Sequence, residues 1–309
     1  PPPPPRPLPP PRPTGPPLAP TAGGPPPPRH PGTAGLEGID YNTPVASAQV
    51  KSCLLLAGLY ANGTTRVNEP LRSRDHTEKM LPAFGVPLSG DCGVEGGSRL
   101  SGTSLRVPAD ISSAAFFLVA AALVPGSELL LRKVGMNETR DGIVHVMQAM
   151  GADLAVENEQ VSGGEKVADL RIQYAGRLRG TDIPLERVPS LIDELPVILA
   201  LAATCEGTSR LRGAAELRVK ESDRLAVMAR GLEILGVDLV EYEDGMDVNG
   251  GAIGQGRVDG AGDHRCAMSF CVLGQVALGP VIVSGCENIN TSYPSFVAHL
   301  RQVGGNIEL

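Results

Sequence analysis

The sequence predicts an α/β chain of repeated units, each with a helix buried at its centre and strands outside. Three observations predict this inside-out arrangement. A pattern of helix, small turn and short strand recurs four times. The first helix of each recurrence is apolar almost all round. A second helix, closed by glycine, follows each strand. A helix without a polar face is buried on every side. The usual α/β plan puts the sheet inside, so this pattern points to its inverse.

The first elements are "KSCLLLAGLYANGTTRV", "SSAAFFLVAAALVPGSELLL", "ELPVILALAATCEGTSRLR" and "MSFCVLGQVALGPVIVSG". Their turn glycines are Gly63, Gly126, Gly207 and Gly279, so the spacings are 63, 81 and 72. The second helices are "RDHTEKMLPAFG", "RDGIVHVMQAMG", "SDRLAVMARGLEILG" and "YPSFVAHLRQVG". Glycine just past the last periodic residue is a left-handed helix stop. A further strand is expected after each, as in "DLRIQYA". Upstream, residues 1–37 are a proline-rich segment expected to be polyproline II or disordered, since they offer few donors and little apolar surface. They read as a linker, a ligand for a proline-recognising module, or a GC-rich gene read out of frame. Ordinary globular sequence begins abruptly near Gly38.

Composition bounds the partners. The net charge of −7 argues against general binding to nucleic acid or an acidic membrane surface. The absence of Trp and the 3% aromatic content argue against a base-stacking platform. An anionic ligand must therefore be held by a local basic cluster. The six cysteines form no CxxC pair and read as small buried hydrophobes in a reducing, cytoplasmic compartment. The histidines at 76, 145, 264 and 299 stand apart from them, so no metal site is expected. No apolar run suits a membrane span, and no signal-peptide pattern opens the chain.

Chemistry concentrates at the helix starts. In "VASAQVKSCLLLAG", Ser47, Gln49, Lys51 and Ser52 crowd a helix entry. Ser47 there is either an N-cap or part of an oxyanion site. In "VPSLIDELPVILALAA", Asp193 and Glu194 precede a buried helix, where Asp193 is either a capping residue or a proton acceptor. In "AELRVKESDRLAVMARGLEILG", Lys220, Asp223 and Arg224 lie three and four apart, so a helix would put them on one face with Glu221 beside it. Mutual salt bridges would explain that pattern without a ligand. Arg265 in "DHRCAMSF" opens the fourth buried helix. Polar groups at the same place in three of four units favour one shared polyanion site.

"PVASAQVKSCLLLAGL", "SRDHTEKML", "LIDELPVILALAA", "RVKESDRL" and "DHRCAMSF" resemble, in order over residues 38–309, the motifs of the 5-enolpyruvylshikimate-3-phosphate synthases. The sister UDP-N-acetylglucosamine enolpyruvyl transferases lack this set. The resemblance implies inside-out αβ domains of the enolpyruvyl transferase type, with four of six repeats present. It implies transfer of the enolpyruvyl group of phosphoenolpyruvate to the 5-hydroxyl of shikimate 3-phosphate, in the cytoplasm, by a monomer without a cofactor. By matching motif, Ser47, Ala48 and Gln49 hold shikimate 3-phosphate, with Ser73 or Arg74 near its phosphate. Gln49, Arg224 and Arg265 hold phosphoenolpyruvate. Asp193 takes the 5-hydroxyl proton, Lys220 contacts the same substrate, and Glu221 protonates the methylene carbon. Both substrates are polyanions, which suits guanidinium and ammonium donors.

Glu216 and Thr291 differ from some members of that family. The family's Asn-Ser-Lys-Ser-like loop and Gly-Asn-Ala-Gly-Thr segment, which carry a Lys and an Arg of the site, are not found. The expected division is a proline-rich segment at 1–37, a remnant of the first αβ domain at 38–106 and a second domain at 107–309. The remnant is expected to be loosely packed, with its central helix facing water, and the chain to be a poor catalyst. The alternative reading is a non-catalytic proline-rich scaffold on a degenerate αβ domain.

Overall fold

A computed structural model describes residues 35–308, so the proline-rich stretch lies almost wholly outside the described residues. The chain divides into two compact units, Pro1–Thr103 and Ser104–Leu309.

The first unit runs β1 (Leu36–Glu37), β2 (Asp40–Asn42), α1 (Ala48–Gly58), β3 (Ala61–Asn62), β4 (Thr64–Asn68), α2 (His76–Ala83) and β5 (Gly93–Glu95). The strand entering α1 and the strand leaving it lie parallel, with Tyr41 opposite Val67. β5 adds antiparallel on the far edge of β4. The core is small: Leu55, Leu59, Val67, Leu81, Val86 and Val94. α1 is not buried on every side, as its apolar sequence alone would predict; much of it faces water, as expected for this unit's central helix. Only Lys51, Leu55 and Gly58 of α1 are buried, and Val50 and Leu56 are 45% and 47% exposed. An apolar sequence supplies the capacity for burial, but this unit supplies partners for one face only.

The second unit runs α3 (Ile111–Leu123), β6 (Glu128–Gly135), α4 (Gly142–Ala149), β7 (Asp153–Ser162) and β8 (Glu165–Gln173). It continues with α5 (Leu195–Ala202), β9 (Thr208–Leu211), α6 (Arg224–Ile234), β10 (Asp238–Tyr242), β11 (Gly245–Asn249) and β12 (Gly256–Asp259). It closes with α7 (His264–Leu273), β13 (Val281–Ser284), α8 (Ile289–Ser292) and α9 (Phe296–Gln302). α3, α5 and α7 pack on one another at the centre. Every residue of α5 is buried, and every residue of α3 except Ser113. Three sheets lie around them, ordered β6-β8-β7, β10-β11-β9 and β12-β13.

In this unit too, the chain entering each central helix pairs parallel with the strand leaving it. Ala109 bridges Val134, Arg179 and Asp182 bridge Glu206 and Arg210, and β12 pairs with β13. The second helices, which the repeat pattern places outside with the strands, are not wholly outside. α6 buries seven residues, because its inner face packs on α5 and α7. Gly231 of α6 permits the approach to α7: a Cβ there would lie 2.1 Å from Cζ of Phe270. The α3 face is closed by an aromatic cluster in which Phe116 and Phe117 meet Phe296 edge-on, at 5.9 and 6.1 Å between ring centroids.

The glycine stops hold: Gly85, Gly151, Gly236 and Gly304 all have φ between 83° and 95°. Gly63, Gly126 and Gly207 also take positive φ, but Gly279 does not. Its smallness serves a contact instead, since a Cβ there would meet Oε1 of Gln255 at 2.2 Å. No strand follows α9 among the described residues, where Asn306 instead hydrogen-bonds the side chain of Gln275. The cysteines are free, but only Cys205 and Cys266 are fully buried; Cys53 is exposed. Among the described residues, no helix is long and apolar enough to cross a membrane, and no group of three or more His, Cys, Asp or Glu is placed to hold a metal ion.

Candidate active site

The starts of α3, α5, α6 and α7 are tied together by side chains at one end of the second unit. Ser112, in the first turn of α3, donates to Oε1 of Glu194, the residue at the head of α5. Arg265, in the first turn of α7, donates to the carbonyl of Asp193 at 3.1 Å and faces the Asp193 carboxylate at 3.8 Å. Arg224, the first residue of α6, donates from Nε to Oδ2 of Asp263 at 2.8 Å and from Nη2 to Glu221 at 2.5 Å. Its Nη1 lies 3.5 Å from Oδ1 of Asp193 but makes no hydrogen bond. Helix N-termini present unpaired N–H groups and the positive end of the helix dipole. Three of these starts are already capped, by Asp110, Asp223 and Asp263, so the groups here best suited to an anion are the guanidiniums of Arg224 and Arg265.

Asp263 holds this end together. Its Oδ1 caps α7 by accepting from the N–H groups of Arg265 and Cys266, and its Oδ2 accepts from Arg224 and Ser222. It is wholly buried, as Arg224 is at 1% exposure. Burial alone would push the Asp263 carboxyl up. The hydrogen bond and charge of Arg224, with the two backbone N–H groups, outweigh burial and hold it below the ordinary carboxylate range. Glu194 goes the other way. Its burial pushes its carboxyl up, against the hydrogen bond from Ser112 and the charges of Arg265 and Arg140. Arg140 reaches Ser112 Oγ at 2.5 Å and Asp110 at 3.1 Å.

The run from Glu216 to Leu225 is not one helix, contrary to the spacing. A 3-10 turn spans Ala215–Val219, Lys220 is extended, and Asp223 starts α6 by capping Ala226 N–H. A side chain that caps must stand just outside the helix, so Asp223 moves the start to Arg224. Lys220 pairs with Glu216, and Arg218 with Asp223 and Glu241. Salt bridging thus accounts for Arg218 and Lys220, whereas Arg224, paired with Glu221 and Asp263, turns inward. The cap position of α5 is held by Glu194, without a capping bond, and Asp193, the residue before it, lies outside the helix facing Arg224 and Arg265.

In the first unit, Ser47 caps α1: its Oγ accepts from Val50 N–H at 3.4 Å. The next N–H groups, of Ala48 and Gln49, have no intrahelical acceptor by helix geometry. Lys51 is not at the helix mouth but buried, with Nζ 2.7 Å from both Glu69 and Glu78. Burial alone would lower the Lys51 pKa; the two carboxylates outweigh it and raise it. Glu69 also accepts from Ser47 N–H at 3.1 Å, Ser73 Oγ–H at 2.6 Å and Ser73 N–H at 3.3 Å. Burial would raise its carboxyl, and Lys51 with Ser73 brings it below the usual range. Two of the expected anion-binding residues, Ser47 and Ser73, are therefore joined through Glu69. Arg74 follows Ser73 directly, just before α2.

Glu69, Asp263, Ser112 and Arg140 escaped the sequence reading. Asp263 had a legible signal, since Asp immediately before a helix is a cap. Glu69 had a weaker one, four residues ahead of Ser73.

The EPSP synthase (3-phosphoshikimate 1-carboxyvinyltransferase) family model matches residues 26–300, beginning upstream of the composition change at Gly38. The 3-phosphoshikimate 1-carboxyvinyltransferase of Halorhodospira halophila is 55% identical over 282 residues, 90% of this chain and 63% of that protein. The protein of that name from Methylococcus capsulatus is 51% identical over 94% of this chain and 67% of its own length. A solved structure of EPSP synthase from Acinetobacter baumannii superposes with a TM-score of 0.84 at 47% identity, over 89% of this chain and 64% of that one. The chain thus spans about two thirds of the length of these relatives. With its inside-out repeats and this agreement in sequence and structure, the chain belongs to the EPSP synthase family.

Proposed function

We propose that the protein serves the transfer of the enolpyruvyl group of phosphoenolpyruvate to the 5-hydroxyl of shikimate 3-phosphate, with release of phosphate, on the route to chorismate and the aromatic amino acids. The observation that carries this reading is Arg224: a fully buried guanidinium with a donor that makes no hydrogen bond, beside Asp193 and among helix N-termini. A dianion is the ligand that such a group lacks. The family membership does not favour the proline-rich scaffold reading.

Each unit has its own part. In the first, Ser47, Ala48, Gln49, Ser73 and Arg74 hold shikimate 3-phosphate, and Gln49 also contacts phosphoenolpyruvate. In the second, Arg224 and Arg265 hold phosphoenolpyruvate, and Lys220 contacts shikimate 3-phosphate. Asp193 accepts the proton of the 5-hydroxyl as its oxygen bonds to the enol carbon. Glu221 delivers a proton to the methylene carbon. The second step breaks the bond to phosphate as a proton leaves the new methyl group. Asp193 is suited to the base role because Arg224 and Arg265 flank it and hold its orientation. Glu221 shares the fork of Arg224, and an incoming dianion that takes those donors releases it. The setting is cytoplasmic and the working form a monomer.

Isothermal titration with shikimate 3-phosphate tests the reading. Saturable binding is expected, and no heat at millimolar ligand overturns it. In a phosphate-release assay on a form that carries all six repeats, Asp193→Asn should lower turnover by at least roughly 10²-fold, the scale of a lost general base, with little change in affinity.

A further inference from the structure

The Glu69–Lys51–Glu78 cluster contains one carboxylate more than its lysine requires. Glu78 already lies 2.7 Å from Lys51 Nζ, and its other hydrogen bond is to Cys92, not to Ser47 or Ser73. Glu69 accepts from Lys51 at the same distance and spends its remaining acceptor capacity on three donors of the two serines. A buried carboxylate with this many charge-assisted bonds fixes whatever it holds. What it holds here is the N-cap of α1 and the residue just ahead of Arg74. These segments come from separate stretches of chain, 22 and 4 residues from Glu69. Glu69 is itself nearly buried, with its side chain 9% exposed, so it is not placed to be a ligand-facing group.

We propose that Glu69 is a positioning residue that sets the spacing and orientation of Ser47 and Ser73 for shikimate 3-phosphate. The inference rests on the functional reading above. Glu69 sets the serines through their backbone N–H groups, which a bound phosphate need not displace. The Ser47 hydroxyl accepts from Val50 N–H and keeps its own proton to donate. The Ser73 hydroxyl is turned toward Glu69, and a phosphate dianion competes for that single proton.

The test is isothermal titration of the full chain and two variants with shikimate 3-phosphate, after circular dichroism has confirmed their fold. Glu69→Gln puts an amide NH2 where Lys51 and Ser73 N–H need an acceptor, so the backbone of Ser73 is released from its spacing to Ser47 while the amide oxygen keeps Ser47 N–H and Ser73 Oγ–H. Affinity should fall at least about 10-fold, the effect of losing one or two charge-assisted bonds. Glu78→Gln removes the same charge from Lys51 without touching the serines, and affinity should stay within about 3-fold. Equal losses in the two variants would show that Glu69 only neutralises Lys51 and would overturn the inference. Unchanged affinity in Glu69→Gln would do the same. If Glu69→Gln does not fold, Glu69→Asp takes its place. It keeps the charge for Lys51 but draws the carboxylate back by one methylene, and the same loss is expected. Absence of binding by the unaltered chain would instead overturn the functional reading, and this inference with it.

Discussion

Asp263→Asn breaks a buried ion pair from one side while leaving most of its shape. The amide oxygen can still cap α7 through Arg265 and Cys266 N–H. The amide nitrogen, however, faces Arg224 Nε, so a donor meets a donor where a 2.8 Å charge-assisted bond stood. Arg224 already has one nitrogen without a hydrogen bond, and at 1% exposure it has no water to turn to. Removing one partner of a buried pair costs about 3–5 kcal/mol. With a urea dependence of about 2–3 kcal/mol per molar, the midpoint falls by roughly 1 M or more. Urea unfolding followed by far-UV circular dichroism at pH 7 reads this directly. The pH dependence gives a second check. The Asp263 carboxyl is held low in the folded state, so its contribution is present above the unfolded carboxylate value of about 4 and disappears as pH falls through the lower folded value. The gap between the two proteins should therefore close in acid. A variant within about 0.5 kcal/mol of the parent at pH 7, or a gap that persists in acid, would refute the reasoning.

Two further outcomes follow from the second unit. Burial raises the Glu194 carboxyl in the folded state, so the native protein holds its proton to higher pH than the unfolded chain. Stability should then fall as pH rises from about 4.5 through the folded value, by at most about 1.4 kcal/mol per pH unit, and Glu194→Gln should flatten that slope in urea melts across pH 4–8. Gly231→Ala should destabilise by about 1–2 kcal/mol in a thermal melt, because crowding Phe270 outweighs the helix propensity gained. A rise in melting temperature would show that the contact between α6 and α7 yields easily.

The repeat and its central helices were legible because apolarity on all sides of a helix has few explanations. α3 and α5 are buried as that pattern requires. α1 carries a similar signal and is half exposed, because composition states what a helix can bury and not whether a neighbour is there to cover it. Arg224 was legible as a member of a polar cluster at a helix start, and its burial was not. A charge run reads as solvated surface, and the burial of Arg224 depends on Asp263, 39 positions away. Distance in sequence likewise hid the link from Ser112 to Glu194, which spans 82 positions. Capping signals are local and were readable; pairings between repeats are not, because no spacing rule connects them.

Each sheet belongs to one repeat. The parallel pair that frames a central helix, and any hairpin beside it, close within the same stretch of chain. Neighbouring repeats of the second unit meet chiefly through their helices. Cooperativity is therefore divided by element type. A strand fault stays within its own module, as in a linear array of nearest-neighbour elements. A fault in α3, α5 or α7 reaches all three modules at once. The helix starts that carry Asp193 and Arg265 stand on this shared part, and Arg224 of α6 is tied to it through Asp263, so local opening of an outer sheet leaves them in place.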